Sequence, residues 1–267
     1  MIERQTQTWM WSHAGQGLAE LNWALFDDQP PSGGQELAFY LSTVNRFGEP
    51  ALMIGAGAGR LLLDLLAVGI EIEGVEPSEA MLEYCVSKAI QAHARLTIYG
   101  QRMERLSLSR RYRTIIVPYA TFTHVVDRTQ AMQTLSKLHE HLLPGGALVL
   151  DIEIPHPSQS ARMAVREMPR ARSATETRRL LEVRRQIAFD PVEQTSTEQR
   201  EYRLCEGDRL LQQEFRLAKR RWYSRHELVM MLAWAGFGET EVIGLDDGFN
   251  LAADSGACET LVFIAQR

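Results

Sequence analysis

Three glycines stand at alternate positions in Gly55-Ala56-Gly57-Ala58-Gly59, directly after the apolar run Ala51–Ile54 and directly before a helical pattern that begins at Arg60. Glycines between a strand and a helix let the backbone approach a ligand closely, and the first N–H groups of the helix face polar or anionic atoms. Glu76 ends the next apolar run, 21 residues after Gly55. A carboxylate in that place can accept both ribose hydroxyls of an adenosine. Turn, spacing and acid together point to a nucleotide-like cofactor, with a tight turn and a merely capping glutamate as the plainer alternative. The dinucleotide fingerprint G-x-G-x-x-G needs a glycine where Arg60 stands, which disfavours NAD and FAD.

The elements that must carry these residues follow from apolar runs and breakers. Ala51–Ile54, Ile70–Val75, Arg95–Tyr99, Thr114–Pro118 and Ala147–Ile152 read as strands alternating with helices, the pattern of an α/β doubly wound, Rossmann-like parallel sheet. Ser78 is placed to cap a helix over Glu79–His93, and a helix over Thr129–Leu143 is predicted to end at Pro144-Gly145-Gly146. Two helical stretches precede the sheet, Trp9–Phe26 and Gln35–Phe47. After His156 the pattern turns to alternation, in three strands around Leu181–Phe189, Thr195–Cys205 and Leu210–Arg221, the last two joined by the hairpin signal Glu206-Gly207-Asp208. A helix over Ser224–Ala235 and strands over Glu239–Ile243 and Thr260–Ala265 close the chain. The expected organisation is an N-terminal helical cap over residues 1–50, an α/β core over 51–155 and 223–267, and an antiparallel β insert over 156–222.

Composition narrows the function classes. With 267 residues, 45% hydrophobic, 24% charged and a net charge of −5, the chain is an ordinary globular protein without the bulk positive charge of a nucleic-acid binder. Cys85, Cys205 and Cys258 are dispersed, and His139 and His141 sit two apart on a helix, so no metal site is expected. No basic-then-apolar leader and no run of about 18 apolar residues is seen. A cytoplasmic protein with no membrane partner is the expectation. Of the 29 basic residues only Lys88, Lys137 and Lys219 are lysine, so codon usage and a need for bidentate arginine contacts both remain open.

Four segments, in order, resemble the class I S-adenosylmethionine-dependent methyltransferases: ALMIGAGAGRLLLDLLAVGIEIEGVEPSEAML, RYRTIIVPYATFTHVVD, LHEHLLPGGALVLDI and YSRHELVMMLAWAGF. The resemblance implies a seven-stranded sheet with a reversed last hairpin, S-adenosyl-L-methionine over the carboxyl ends of the strands, and methyl transfer to a small molecule. It implies that the insert is the acceptor lid of small-molecule N- and O-methyltransferases. Carried over by position, Gly55, Ala56, Gly57 and Gly59 line the methionine moiety with Arg60 near its carboxylate. Glu76, beside Pro77, holds the ribose. Gln101, Arg102 and Met103 surround the adenine, Pro118 and Tyr119 lie beneath the cofactor, and His124 faces the acceptor. If the acceptor is a hydroxyl or an ammonium, His124 has the reference pKa of about 6.5 that suits a base, and Tyr119 can accept or orient.

Three departures from the family pattern stand out. Met53 replaces an acid two residues before the first glycine, Gln101 an acid after the third strand, and Arg113 an acid at the opening of the fourth. Only Glu76 is kept, so a methyltransferase-like binding module without catalysis is the alternative reading. The insert carries a net +5 and the rest of the chain −10. Such a lid suits an anionic acceptor, a carboxylate or a phosphorylated molecule, unless its arginines only solubilise strand faces.

Overall fold

The computed structural model describes residues 17–19, 34–153, 164–168, 179–246, 250, 258 and 260–267. The helix expected over Trp9–Phe26, with Trp9, Trp11 and Trp23, lies almost wholly outside them. The chain divides into two compact units, residues 30–156 with 221–267, and residues 1–29 with 157–220.

The larger unit is an α/β sandwich around a seven-stranded sheet. Its strands are β1 (Ala51–Ile54), β2 (Ile72–Val75), β3 (Ile98–Tyr99), β4 (Tyr112–Val117), β5 (Leu142–Glu153), β10 (Thr240–Leu245) and β11 (Thr260–Gln266), in the spatial order β10-β11-β5-β4-β1-β2-β3. The pairs β1–β2, β1–β4, β4–β5 and β2–β3 are parallel, whereas β11 runs antiparallel to both β5 and β10. This is the reversed last hairpin that the resemblance implies. The strand order turns around between β1 and β4, which opens a crevice at the carboxyl ends of those strands.

Side-chain alternation along the strands divides the core in two. Leu52 and Ile54 of β1, Ile115 and Val117 of β4, and Leu148, Leu150 and Ile152 of β5 face one cluster, which α4 (Arg128–Glu140) and α5 (Arg225–Trp234) cover with Leu135, Leu138, Leu228 and Leu232. Ala51, Met53, Ile116, Ala147 and Val149 face the other, packed by α1 (Gln35–Phe47), α2 (Arg60–Ala67) and α3 (Glu79–Gln91) through Tyr40, Val44, Leu61, Leu65 and Cys85. Ser78 caps α3 by accepting from the Met81 N–H, Asp127 caps α4, and Ser224 with Glu227 forms a capping box on α5. The helix expected to run to Leu143 stops at Glu140 instead. His141 caps it, and Leu142 already pairs with Tyr112, so Pro144-Gly145-Gly146 lies inside β5 at a register shift.

The smaller unit holds a separate antiparallel sheet of four strands, one more than expected: β6 (Ala164–Met168), β7 (Arg179–Asp190), β8 (Thr195–Glu206) and β9 (Arg209–Arg221), whose last residue, Arg221, falls in the larger unit. The additional strand pairs with Val183–Ile187 of β7, a partner more than ten residues away, and its own five residues carry no clear alternation.

Candidate functional site

The glycine turn and Glu76 meet at the carboxyl ends of β1 and β2. Gly55, Gly57 and Gly59 all have positive φ, at 74°, 58° and 89°. Space, as well as conformation, requires two of them. A Cβ on Gly55 would come within 2.6 Å of the Thr121 side chain, and one on Gly59 within 2.6 Å of the Cys85 Sγ behind the turn. Glu76 is buried, and its two oxygens accept from the Gly57 N–H at 2.9 Å and the Ser78 N–H at 2.8 Å. Burial raises its carboxyl above the usual range, and these two N–H groups oppose the rise. A carboxylate offers about four acceptor positions, and these bonds occupy two. Pinned against the turn, Glu76 keeps acceptor capacity for hydroxyl groups, so the pair fits a ribosyl ligand on the glycine backbone.

A second polar group joins α1, α2, the turn after β4 and β5. Arg60, first residue of α2, donates to both oxygens of Glu36 on α1, at 2.7 and 3.3 Å, and each of the two side chains is only 9% exposed. It also donates to the Tyr119 hydroxyl, with its guanidinium 4.9 Å from the centre of that ring. The Arg60 charge expected beside a carboxylate is thus already matched by Glu36. Tyr119 and Ala120 follow β4 in consecutive left-handed conformations, φ 61° and 51°. Such a conformation costs a residue other than glycine about 1–3 kcal/mol, so a specific contact must hold it. Asp151, near the end of β5, supplies that contact. It accepts from the Tyr119 N–H at 3.0 Å, from the Ala120 N–H, and from the Tyr40 hydroxyl of α1 at 3.1 Å. Burial pushes its carboxyl up to about 6 against the pull of these three bonds, and Glu153 adds to the rise. Burial and Asp151 hold the Tyr40 phenol well above its ordinary value.

The remaining expected site residues are spread around these two groups. Ala56 and Pro118 are buried, and Pro77 is exposed next to Glu76. Gln101 closes its own loop, with its oxygen accepting from the Ser107 N–H at 3.0 Å and its amide donating to the Ser107 carbonyl. Arg102 is exposed and pairs with Glu104 at 2.8 Å, while Met103 is buried in the core. His124 ends the short turn Thr121–His124 and is exposed. Arg113 is also exposed and donates to the Pro144 carbonyl. Met53 is 1% exposed in the core that includes Tyr40.

Sequence reasoning missed Glu36, Tyr40 and Asp151, although a signal existed for each. Glu36 and Tyr40 lie one helical turn apart on the face of α1 that buries Thr43 and Val44, and Asp151 interrupts an otherwise apolar central strand. A charged residue on a buried face requires a partner. In the smaller unit, the buried Glu198 takes Arg200 at 2.6 and 2.9 Å and also takes Arg185, while Arg203 pairs with Glu182 and Arg184 with Glu201. These four arginines have carboxylate partners within their own sheet. No group of three metal-ligating side chains occurs among the described residues, and no described helix is long and apolar enough to cross a membrane.

A seven-stranded sheet of this order with a reversed last hairpin is the class I S-adenosylmethionine-dependent methyltransferase fold. Residues 51–146 match the family model of a methyltransferase domain. Solved structures agree across nearly the full chain. An S-adenosylmethionine-dependent methyltransferase from Clostridium acetobutylicum superposes with a TM-score of 0.71 at 13% identity, covering 91% of this chain and 94% of its own. The CcbJ methyltransferase from Streptomyces caelestis gives 0.65 at 22% identity, with 90% and 97% covered. CalS10, an amino pentose methyltransferase from Micromonospora echinaspora solved with S-adenosylmethionine bound, gives 0.66 at 15% identity, with 91% and 94% covered. No curated protein matches the sequence.

Proposed function

We propose that the protein is an S-adenosylmethionine-dependent methyltransferase acting on a small-molecule acceptor. The observation that carries this reading is the Glu76 carboxylate held against the Gly57 N–H at 2.9 Å, which joins the acid and the glycine turn into one receptor for a ribosyl cofactor. In this reading Gly55, Ala56, Gly57 and Gly59 line the methionine moiety, Pro77 flanks the ribose, and Gln101, Arg102 and Met103 border the adenine. Arg60 and Pro118 complete the cofactor side. Bound there, S-adenosylmethionine supplies an electrophilic methyl group. The task left to the chain is to align the acceptor for in-line attack and to exclude water.

Tyr119 orients the acceptor, and His124, near the end of β4, takes the acceptor's proton where one must leave. We assign the choice of acceptor to the antiparallel insert. An amine is favoured as acceptor, since structures of this fold include the sugar N-methyltransferase KedS8 of a Streptoalloteichus species and the amino pentose enzyme CalS10. An anionic group on the acceptor is the weaker element, because Arg184, Arg185, Arg200 and Arg203 already meet carboxylates within their own sheet. Titration calorimetry with S-adenosylhomocysteine tests the reading. Binding in the micromolar range is expected, and no heat at high micromolar ligand would sink it.

Met53 favours one second reading, a binding module without catalysis, because no acid stands two residues before the first glycine. Turnover of any methyl acceptor by the unaltered protein excludes that alternative.

A further inference from the structure

Three elements converge on Asp151: its own strand β5, the two left-handed residues after β4, and α1 through Tyr40, which shares its helix face with Glu36. The Asp151 carboxylate receives two backbone N–H groups and one hydroxyl, and none of its three partners carries a positive charge. The residue it holds, Tyr119, is the one whose hydroxyl meets Arg60 at the start of α2, immediately after the glycine turn. We propose that Asp151 is a positioning residue of the cofactor site: by gathering the Tyr119 and Ala120 N–H groups it fixes the turn that sets Tyr119 and Arg60 beside the glycine backbone, with Tyr40 steadying the carboxylate. This inference rests on the methyltransferase reading and names a residue that reading does not otherwise need.

The chemistry makes the carboxylate hard to replace. Two N–H donors and a hydroxyl require an acceptor on both oxygens, and an asparagine offers only one, turning its own NH2 toward a donor. Asp151 titrates in an accessible range, at about 6, so its own ionisation gives a second handle. Tyr40 from α1, the Tyr119 turn and Glu153 on its own strand face it, with Glu36 and Arg60 lying behind the two tyrosines. Protonation removes one acceptor oxygen and loosens the turn, so cofactor affinity falls as the pH drops through that value. Glu76 is also raised. Only the part of the pH dependence that Asp151→Asn abolishes belongs to Asp151.

The experiment measures S-adenosylhomocysteine affinity by calorimetry for the unaltered protein, Asp151→Asn, Asp151→Glu and Tyr40→Phe. The Tyr119 and Ala120 amide resonances are followed against pH in the same proteins. Asp151→Asn is expected to weaken binding about tenfold or more, the scale of one hydrogen bond to a charged group. Tyr40→Phe, which leaves both N–H bonds in place, is expected to weaken it about threefold, the scale of a neutral hydrogen bond. Asp151→Glu recovers part of the loss. The two amide resonances are expected to shift together with a midpoint near the Asp151 value, and that shift disappears in Asp151→Asn. If Asp151→Asn does not fold, the pH dependence of the unaltered protein and the Asp151→Glu variant decide. Binding by the unaltered protein with unchanged affinity in Asp151→Asn, or amides that do not follow the titration, overturns the positioning role and leaves the methyltransferase reading intact. No binding by the unaltered protein overturns both.

Discussion

Asp151 in the larger unit and Glu198 in the smaller are both buried carboxylates, and burial pushes both upward. Yet Asp151 rises to about 6 while Glu198 falls to about 2. The difference lies in the partners. Glu198 is held by the guanidinium groups of Arg200 and Arg185, whose positive charges outweigh the loss of water. Asp151 is held by N–H groups and a phenol, dipoles that only partly offset it. Glu76 has the same kind of partners as Asp151 and likewise rises. Glu198, held by charge, belongs to the sheet of the smaller unit, whereas Asp151 and Glu76, held by dipoles, stand at the candidate site.

The sharpest way to break this contrast is to remove Glu198. Glu198→Ala leaves Arg200 buried without its counter-charge and is expected to cost about 3–5 kcal/mol, read as a lower midpoint in urea unfolding. A change below about 1 kcal/mol would show that the pair is no more than a surface contact. Somewhat smaller effects come from pH. Glu198 contributes stability that is present above about pH 4.5 and is lost as the pH falls toward 2. Asp151 acts in the opposite direction. Its folded value lies above that of an unfolded aspartate, so its contribution is greatest below about pH 3.8 and is lost as the pH rises through about 6. Unfolding free energies between pH 3 and 8 are expected to lose the rising limb in Glu198→Gln and the falling limb in Asp151→Asn.

Glu76→Gln should weaken S-adenosylhomocysteine by about one to two decades, because it removes the charge that accepts from Gly57 and Ser78 and from a bound ribose. Calorimetry on the two proteins checks it, and equal affinities would remove Glu76 from the site. The smallest effect is expected from Arg203→Ala. Its partner Glu182 and Arg203 itself are about a third exposed, so the loss should stay below about 1 kcal/mol in the same urea measurement.

What the sequence reveals about this molecule depends on how local each signal is. Gly55, Gly57 and Gly59 are separated from Glu76 by one helix and one strand, and their spacing alone brings them together. Ser78 and Ser224 announce their helices because a cap acts over three residues. Asp151 and Tyr40 stand 111 residues apart, so their contact follows from sheet order and from the side on which α1 packs. Neither is written in the spacing of the residues. Arg60 shows the same limit. Its place at the start of α2 is legible, but its charge partner comes from Glu36, 24 residues earlier. The strand Ala164–Met168 is invisible for a related reason: its pairing with β7 is a property of the sheet, and its own five residues do not announce it.

The match to a methyltransferase domain covers residues 51–146. Glu36 and Tyr40 precede that stretch, and Asp151 follows it. The limits of that sequence match and the limits of physical dependence therefore do not coincide. Excised along the line of recognition, the domain would retain every residue of the glycine fingerprint, and Arg60 would lose its counter-charge and Tyr119 its tether. For grafting, shuffling or shortening this scaffold, a piece that keeps these contacts starts before α1 and extends past Asp151.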